Sequence, residues 1–553
     1  MKTIRSIPHY ASRLGSILSF AHRRTIAQML LTCVAIAQPA IAQPFAAPDG
    51  TGTIVTVNGD RFEIDGGTLS GDGTNLFHSF AQFGIDANQV ANFLSNPQIQ
   101  NILGRVVGND PSIINGLVQV TGSNANLYLM NPAGIIFGQG ASLNVGGDFF
   151  ATTATGIGIG NDWFNAFGDN NYSLLAGNPH QFAFDLSQTG AIVNAGNLAV
   201  ERGQTIALLG GTVINTGNIA ASGGTIAIAA VPGSSLIEIS QPETLLRLEI
   251  EPPRDANGLI LPFTPLDLPQ LLAGSGVETG LIVNANNRVQ TLAGTIIPTE
   301  AATAIVTGTL SASSLQDGRG GNIDVLGDRV GLLDDARVLA SGTLGGGNIR
   351  LGGDYQGKGT VPNARIAVVG ENATLEADAI SSQFPLESGG NGDGGRVIVW
   401  ADETTKFWGN ISARGGSNSG NGGFVEVSGL RSLEFTGTVD TLAPNGNPGT
   451  LLLDPTDITV QNGVGTFTNL NQVDAFSDLD MGANTLNVAL INAATTNVIL
   501  QATNNININA PIDIATPDVG LTAIARDGNI TTTENIRTNL SETGGVNLMA
   551  GNN

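Results

Sequence analysis

The chain has 553 residues, of which 75 are glycine, 41% are apolar and only 12% are charged. The apolar share excludes a disordered polymer and the 5% aromatic share excludes a wide core of bulky side chains, leaving a narrow core of Val, Ile, Leu and Ala between Gly, Asn and Asp turns. The formal charge of −23 becomes −28 once residues 1–42 are set aside with their five cations (Lys2, Arg5, Arg13, Arg23, Arg24) and no carboxylate; such a surface repels phosphate backbones, so no nucleic-acid partner is expected.

Met1 to Arg24 is basic and free of acidic residues, Ile26 to Ala37 is an apolar run of signal-core length, and Ala40-Ile41-Ala42 places small residues at the two cleavage positions. These features predict a signal peptide, residues 1–42, cut between Ala42 and Gln43. A membrane anchor is the alternative, but Gln28 and Thr32 interrupt the run, which falls short of the ~20 residues a spanning helix needs. No later segment sustains such a stretch, so no stable membrane span is expected. Cys33, the only cysteine, lies in the leader, and the mature chain therefore has no disulfide, zinc-thiolate site or cysteine nucleophile.

Gly50 to Phe93 reads as strands and turns without a regular period, as expected of the cap that shields the first edge of a stacked fold. Repetition is clearest after residue 190. Ala191-Ile-Val-Asn-Ala-Gly-Asn-Leu-Ala199 returns as Thr212-Val-Ile-Asn-Thr-Gly-Asn-Ile-Ala220, and Thr205-Ile-Ala-Leu returns as Thr225-Ile-Ala-Ile, a period of about 20 to 21 residues. Short β-branched runs broken by Asn and Gly at that period fit one coil of a solenoid, with equivalent Asn side chains stacked as a ladder. If most of the mature chain were coiled, about 24 coils would form a rod on the order of 100 Å long.

Pro242 to Pro269 contains six prolines, which cannot donate to a strand ladder, so residues 241–280 are expected to leave the rod. Gly-Gly pairs before alternating strands at Gly320, Gly346, Gly394 and Gly422 predict that the solenoid resumes over 281–553. Gly545 to Asn553 stops within repeat-like sequence, so the C-terminus is expected to be truncated. The fold class is therefore all-β, a right-handed parallel β-helix with an N-terminal cap.

Asn101-Ile-Leu-Gly-Arg-Val-Val-Gly-Asn-Asp-Pro-Ser-Ile-Ile-Asn-Gly116 leads into Asn126-Leu-Tyr-Leu-Met-Asn-Pro-Ala-Gly-Ile-Ile-Phe-Gly138 and then Gly140-Ala-Ser-Leu-Asn-Val-Gly-Gly-Asp-Phe-Phe-Ala-Thr-Thr153. This stretch, and residues 50 to 235 more widely, resembles the N-terminal secretion domain of two-partner-secretion exoproteins of the filamentous-haemagglutinin group. In that family Asn-Pro-Asn-Gly-Ile closes a strand; Asn131-Pro132-Ala133-Gly134-Ile135 matches it with Ala in the middle. A second family motif, Asn-Pro-Asn-Leu, is matched partly by Asn96-Pro97-Gln98-Ile99. Gly449-Thr-Leu-Leu-Leu-Asp-Pro-Thr-Asp-Ile458 is similar to a segment of the long passengers of such proteins. The resemblance implies a secretion domain over residues 43–240, recognised in the periplasm of a Gram-negative cell by the POTRA domains of a partner outer-membrane barrel transporter. It implies a secreted or surface adhesin whose receptor, on a host cell, another bacterium or a carbohydrate, stays open.

The alternative is a β-helical protein that binds or degrades polysaccharide. Degradation needs carboxylates clustered with Lys or Arg across several coils, and Asp334-Asp335 with Arg337 is the nearest cluster in sequence, read here as a solvated turn. Only His78 and His180 survive leader removal, without ligand spacing. Gly389-Gly-Asn-Gly-Asp-Gly-Gly395 occurs once, whereas calcium-binding nonapeptides stack in tandem. No catalytic, cofactor or metal site is expected.

Overall fold

The computed structural model describes residues 43–240, 245–249, 264–316, 318–381, 390–463, 476, 484–539 and 544–551; the expected signal peptide and Ala42 lie outside them. One coil shows how the sequence makes the fold. Thr205–Gly210, Thr212–Asn215 and Asn218–Ala221 are short strands separated by Gly211 and by Thr216-Gly217, and the next strand, Thr225–Ala230, pairs in parallel with the first. Side chains alternate along each strand. Ile206, Leu208, Val213, Ile219 and Ala221 share the interior core, whereas Ala207, Leu209 and Ile214 belong to clusters on the outer faces. Strands buried on both faces read as continuous apolar runs.

Coils stack into three long parallel sheets, here sheets 1, 2 and 3 in the order in which the chain visits them from Thr205. The pairings Asn194↔Asn215, Asn197↔Asn218 and Thr205↔Thr225 are the repeats read from the sequence. The expected Asn ladder is present: the Asn194 amide donates to Asn215 Oδ1 at 2.7 Å. A second ladder joins Asn126 to Asn101 at 3.0 Å and Asn101 to Asn75 at 2.8 Å.

Sheet 1 holds 14 mutually parallel strands among the described residues, from Asn75–Gln82 to Val546–Ala550, where about 24 coils were expected. The 20-residue coil is the short one. Stacked partners lie 26 residues apart at Asn322 and Asn348 and 28 apart at Asn410 and Thr438. The chain also leaves the solenoid twice at length. After Thr153 it forms Gly156–Ile159, Asp162–Asn165 and Pro179–Phe184, which join Ser235–Ser240 and Leu245–Glu249 in an antiparallel sheet. Ile157, Phe164, Phe182 and Phe184 of this sheet cover Phe77, Tyr128 and Phe150 on the outer face of sheet 1.

The proline-rich segment supplies the cover for sheet 2. Helix Leu268–Gly274 starts on a capping box in which Asp267 accepts from the Gln270 amide at 2.8 Å, and Leu268 and Leu271 pack against Ile136, Val193 and Ile214. A hairpin through Leu281–Val283 and Val289–Thr291 extends the cover. Thr303–Val306 then rejoins the stack directly beside Thr212–Asn215, so the departure runs past residue 280.

At the N-terminal end, Phe45–Ala46 lies antiparallel on Asn75–Gln82, and the hairpin of Thr53–Asn58 and Arg61–Gly66 covers Val90–Leu94. Phe62, Phe80, Phe83 and Phe93 plug the interior beneath this cap. Arg105, buried, staples three layers: it donates to Asp49 at 2.8 Å, to Ser79 Oγ at 3.1 Å and to the carbonyls of Asn165 and Gly168. Burial alone would raise the Asp49 pKa, but hydrogen bonds from Ser79, Thr51 and Arg105 hold it at about 2.

His78 sits in this plug against Phe80 and Phe93, and neither ring nitrogen has a hydrogen-bond partner. Burial pushes its pKa down from 6.5 to about 4, against the opposing pull of Asp65. Between those two values the unfolded chain binds the proton and the folded cap does not, so stability falls as pH drops through the window. Moving from pH 7 to 4 is expected to weaken the cap by on the order of 3 kcal/mol. Hydrogen exchange of the amides of residues 53–94 measures this: opening rates should rise on acidification and stay flat in His78→Phe, and equal pH dependence in both proteins would refute it.

Candidate transporter-recognition site

Asn131-Pro132-Ala133-Gly134-Ile135 forms the corner at which the chain passes from sheet 1 (Asn126–Met130) to sheet 2 (Ile135–Phe137). Proline fixes φ and Asn tolerates the turn, so the local sequence dictates a tight bend. Asn131 Oδ1 accepts from the Ala133 amide at 3.0 Å, and the Gly134 amide donates to the Asn131 carbonyl at 3.1 Å. The Asn131 amide group donates to the Asp110 carbonyl at 3.1 Å and to Ser112 Oγ at 3.0 Å, both on the preceding coil. Asn131 is 0% exposed, and every residue from 131 to 138 is buried.

Gly134 adopts φ +122°, a conformation that L side chains rarely hold. A Cβ there would lie 3.2 Å from the Ala191 carbonyl and 3.4 Å from Leu271 of the covering helix. The corner is thus closed from below by the 110–112 turn, from above by residue 191 and from outside by Leu271. None of these partners was readable in the sequence, because the separations, 19 residues to Ser112 among them, follow coil stacking and not a local motif.

Asn96 and Pro97 occupy a different corner, between Val90–Leu94 of sheet 3 and Asn101–Val106 of sheet 1. The local bonding is the same: Asn96 Oδ1 accepts from the Gln98 amide at 3.0 Å, and the Ile99 amide donates to the Asn96 carbonyl at 3.0 Å. Asn96, Pro97 and Gln98 are nevertheless exposed, and only Ile99 turns inward. The structure therefore gives the two motifs one turn geometry and opposite burial. Gln43 is half-buried beside the cap.

Asp334 and Asp335 form a turn, with Asp334 at φ +52° accepting from Thr295 Oγ1 at 2.6 Å. The clustered charges lie elsewhere, on the outer face of sheet 1, where coil stacking brings Asp324, Arg350, Asp354 and Arg396 together. Arg350 donates to Asp324 at 2.7 and 2.8 Å, and Asp354 accepts from Arg350 at 3.2 Å and pairs with Arg396 at 3.0 Å. Glu426, on the same face, accepts from the Gln356 amide at 3.0 Å; burial raises its pKa to about 7. Among the described residues no helix is long and apolar enough to cross a membrane.

Residues 43–259 match the family model of the TPS secretion domain. Among solved structures, the HMW1 secretion domain from Haemophilus influenzae is 22% identical over 74% of this chain and 98% of that one, with a TM-score of 0.38. The filamentous hemagglutinin secretion domain is 14% identical over 75% and 99%, with a TM-score of 0.32. No curated protein matches the chain.

The two corners predict different sensitivities. Asn131→Ala strands the groups it now satisfies in a buried site and is expected to cost about 2 to 4 kcal/mol, whereas Asn96→Ala at an exposed turn should cost under about 1 kcal/mol. Gly134→Ala should cost about 1 to 3 kcal/mol through its backbone conformation. Urea denaturation midpoints of the three variants test the ranking, which fails if Asn96→Ala proves as damaging as Asn131→Ala.

Proposed function

With a TPS secretion domain at residues 43–259 the chain is a two-partner-secretion exoprotein, and we propose that Asn131, Pro132, Gly134 and Ile135 serve recognition while the chain is still unfolded. The domain supports export across the outer membrane with a partner transporter. In the proposed route a signal peptide ending at Ala42 delivers the chain to the periplasm, and the family match beginning at Gln43 supports that boundary. POTRA domains of the transporter bind extended segments of residues 43–240 by strand addition, and coils close one upon another outside, opposing return.

The observation that carries this reading is the burial of residues 131–138. A side chain with 0% exposure, its polar atoms all bonded within the fold, offers nothing to a partner that meets the folded protein. Asn96 and Pro97 are exposed and remain available in either state. The proposed product is an adhesin-like passenger, secreted or held at the cell surface, with no catalytic step of its own.

The test is release of residues 1–300 into the medium with and without the outer-membrane barrel encoded nearest the gene; this length keeps Leu271 over the Asn131 corner. Barrel-dependent release is expected, reduced several-fold by Asn131→Ala. Ser112→Ala removes a hydrogen-bond partner of Asn131 without altering the motif, and it should be released close to normally. Retention in the periplasm with the barrel present would refute the export route, and equal loss in both variants would reduce the motif's role to stability.

A further inference from the structure

At the turn from sheet 3 into sheet 1, successive coils carry Gly320-Gly321, Gly346-Gly347, Gly394-Gly395 and Gly422-Gly423. Coil packing alone explains them: a Cβ on Gly346 would sit 1.9 Å from the Ala377 carbonyl. Their consequence is an open groove of about 520 Å³ that crosses the corners of five coils, from Arg319 to Thr450. At about 4.8 Å per coil, its floor runs for about 19 Å along the stack.

The walls carry features that packing does not require. Arg319 is exposed, and no described carboxylate lies within ion-pair distance of it. Arg396 lies 5.8 Å from the centre of the Tyr355 ring, and Phe424 meets the same ring edge-on at 5.7 Å. Tyr355 is 39% exposed at the rim, on the short departure between Leu351 and Ile366. That departure is anchored: Asp354 is held by Arg350 and Arg396, and the Gln356 amide donates to buried Glu426. An exposed aromatic ring fixed in this way presents a rigid face at small entropic cost.

We propose that this groove binds a linear acidic polysaccharide laid along the solenoid, with Tyr355 and Phe424 as the stacking platform and Arg319 and Arg396 holding its carboxylates. The glycine floor lets a flat polymer approach the backbone, and exposed Asn348 and Asn421 face its hydroxyls. Asp393 is the one carboxylate in the lining, so the groove lacks the pair that glycoside hydrolysis uses and is a binding site only. A protein partner is disfavoured by the want of a central apolar anchor, and nucleic acid by the charge of −23 on the whole chain.

The experiment is affinity electrophoresis of the full mature chain in gels containing polygalacturonate or, for comparison, neutral hydroxyethyl cellulose. Polygalacturonate should retard the protein more strongly than the neutral polymer. Tyr355→Ala and Arg319→Ala should each weaken retardation at least fivefold at unchanged melting temperature, and Asp335→Ala, on an unrelated turn, should leave it intact. No retardation by polygalacturonate, or retardation that survives both groove variants, overturns the proposal. The assay contains no transporter, so its failure would leave the export reading untouched.

Discussion

In a stacked coil the hydrogen-bonding partner of every strand is the equivalent strand of the next coil, and that lateral register governs the rest of the molecule. Whatever side chain stands at a position is held about 4.8 Å from its counterpart one coil on. Apolar counterparts merge into one interior core, and polar ones must bond to each other or be left unsatisfied. Asn75, Asn101 and Asn126 solve this as a ladder whose first member is tied off on the carbonyls of Leu175 and Gly177. The same demand produces the cap. The first coil has no predecessor, so an antiparallel strand, a hairpin and the Asp49–Arg105 pair close its exposed edge.

Register also explains why so much chain lies outside the coils. A strand with apolar residues on both faces leaves an outward stripe that water would meet, and each excursion covers one. The aromatic sheet from 156 onward lies over Tyr128 and Phe150, and the helix at 268 lies over Ile136 and Ile214. Further along sheet 1 the outward stripe turns polar, and the cover changes with it. The segment from Gly352 to Arg365 lies over Asp324, Arg350 and Glu426, and it is held by ion pairs and a backbone amide in place of apolar contact. Buried charges of this kind add little net stability but specify geometry. Here they fix where Tyr355 stands.

Local repetition was legible in the sequence because it needs no knowledge of distant partners. The 20-residue unit, the stacked Asn194 and Asn215, the aperiodic cap and the departure at the prolines all follow from turn chemistry and strand alternation. The excursion after Thr153 was not legible: Gly156-Ile-Gly-Ile159 and Asp162-Trp-Phe-Asn165 alternate like any coil strand, and only antiparallel pairing distinguishes them. The charged cluster was equally hidden. Asp324 and Arg350 stand 26 residues apart and Gln356 and Glu426 stand 70 apart, separations that acquire meaning only when coil length and excursions are known. Asp334 and Asp335 were adjacent in sequence and for that reason drew notice, yet adjacency along a turn brings nothing together across coils.

The two Asn-Pro corners show how far a motif can be read without its surroundings. Both make the same pair of turn bonds, so the four residues alone account for the geometry of each. What separates them is the cover. Asn131 is enclosed by Ser112, Ala191 and Leu271, and the last of these arrives only after more than a hundred further residues have followed the motif. Under the proposed route the motif is accessible for as long as that later chain has not docked. Closing the corner then withdraws Asn131 from any partner and adds its buried hydrogen bonds to the stability of the fold. Release and folding would be coupled through the same side chain, with no separate switch, because one set of polar atoms cannot serve a transporter and the preceding coil at once.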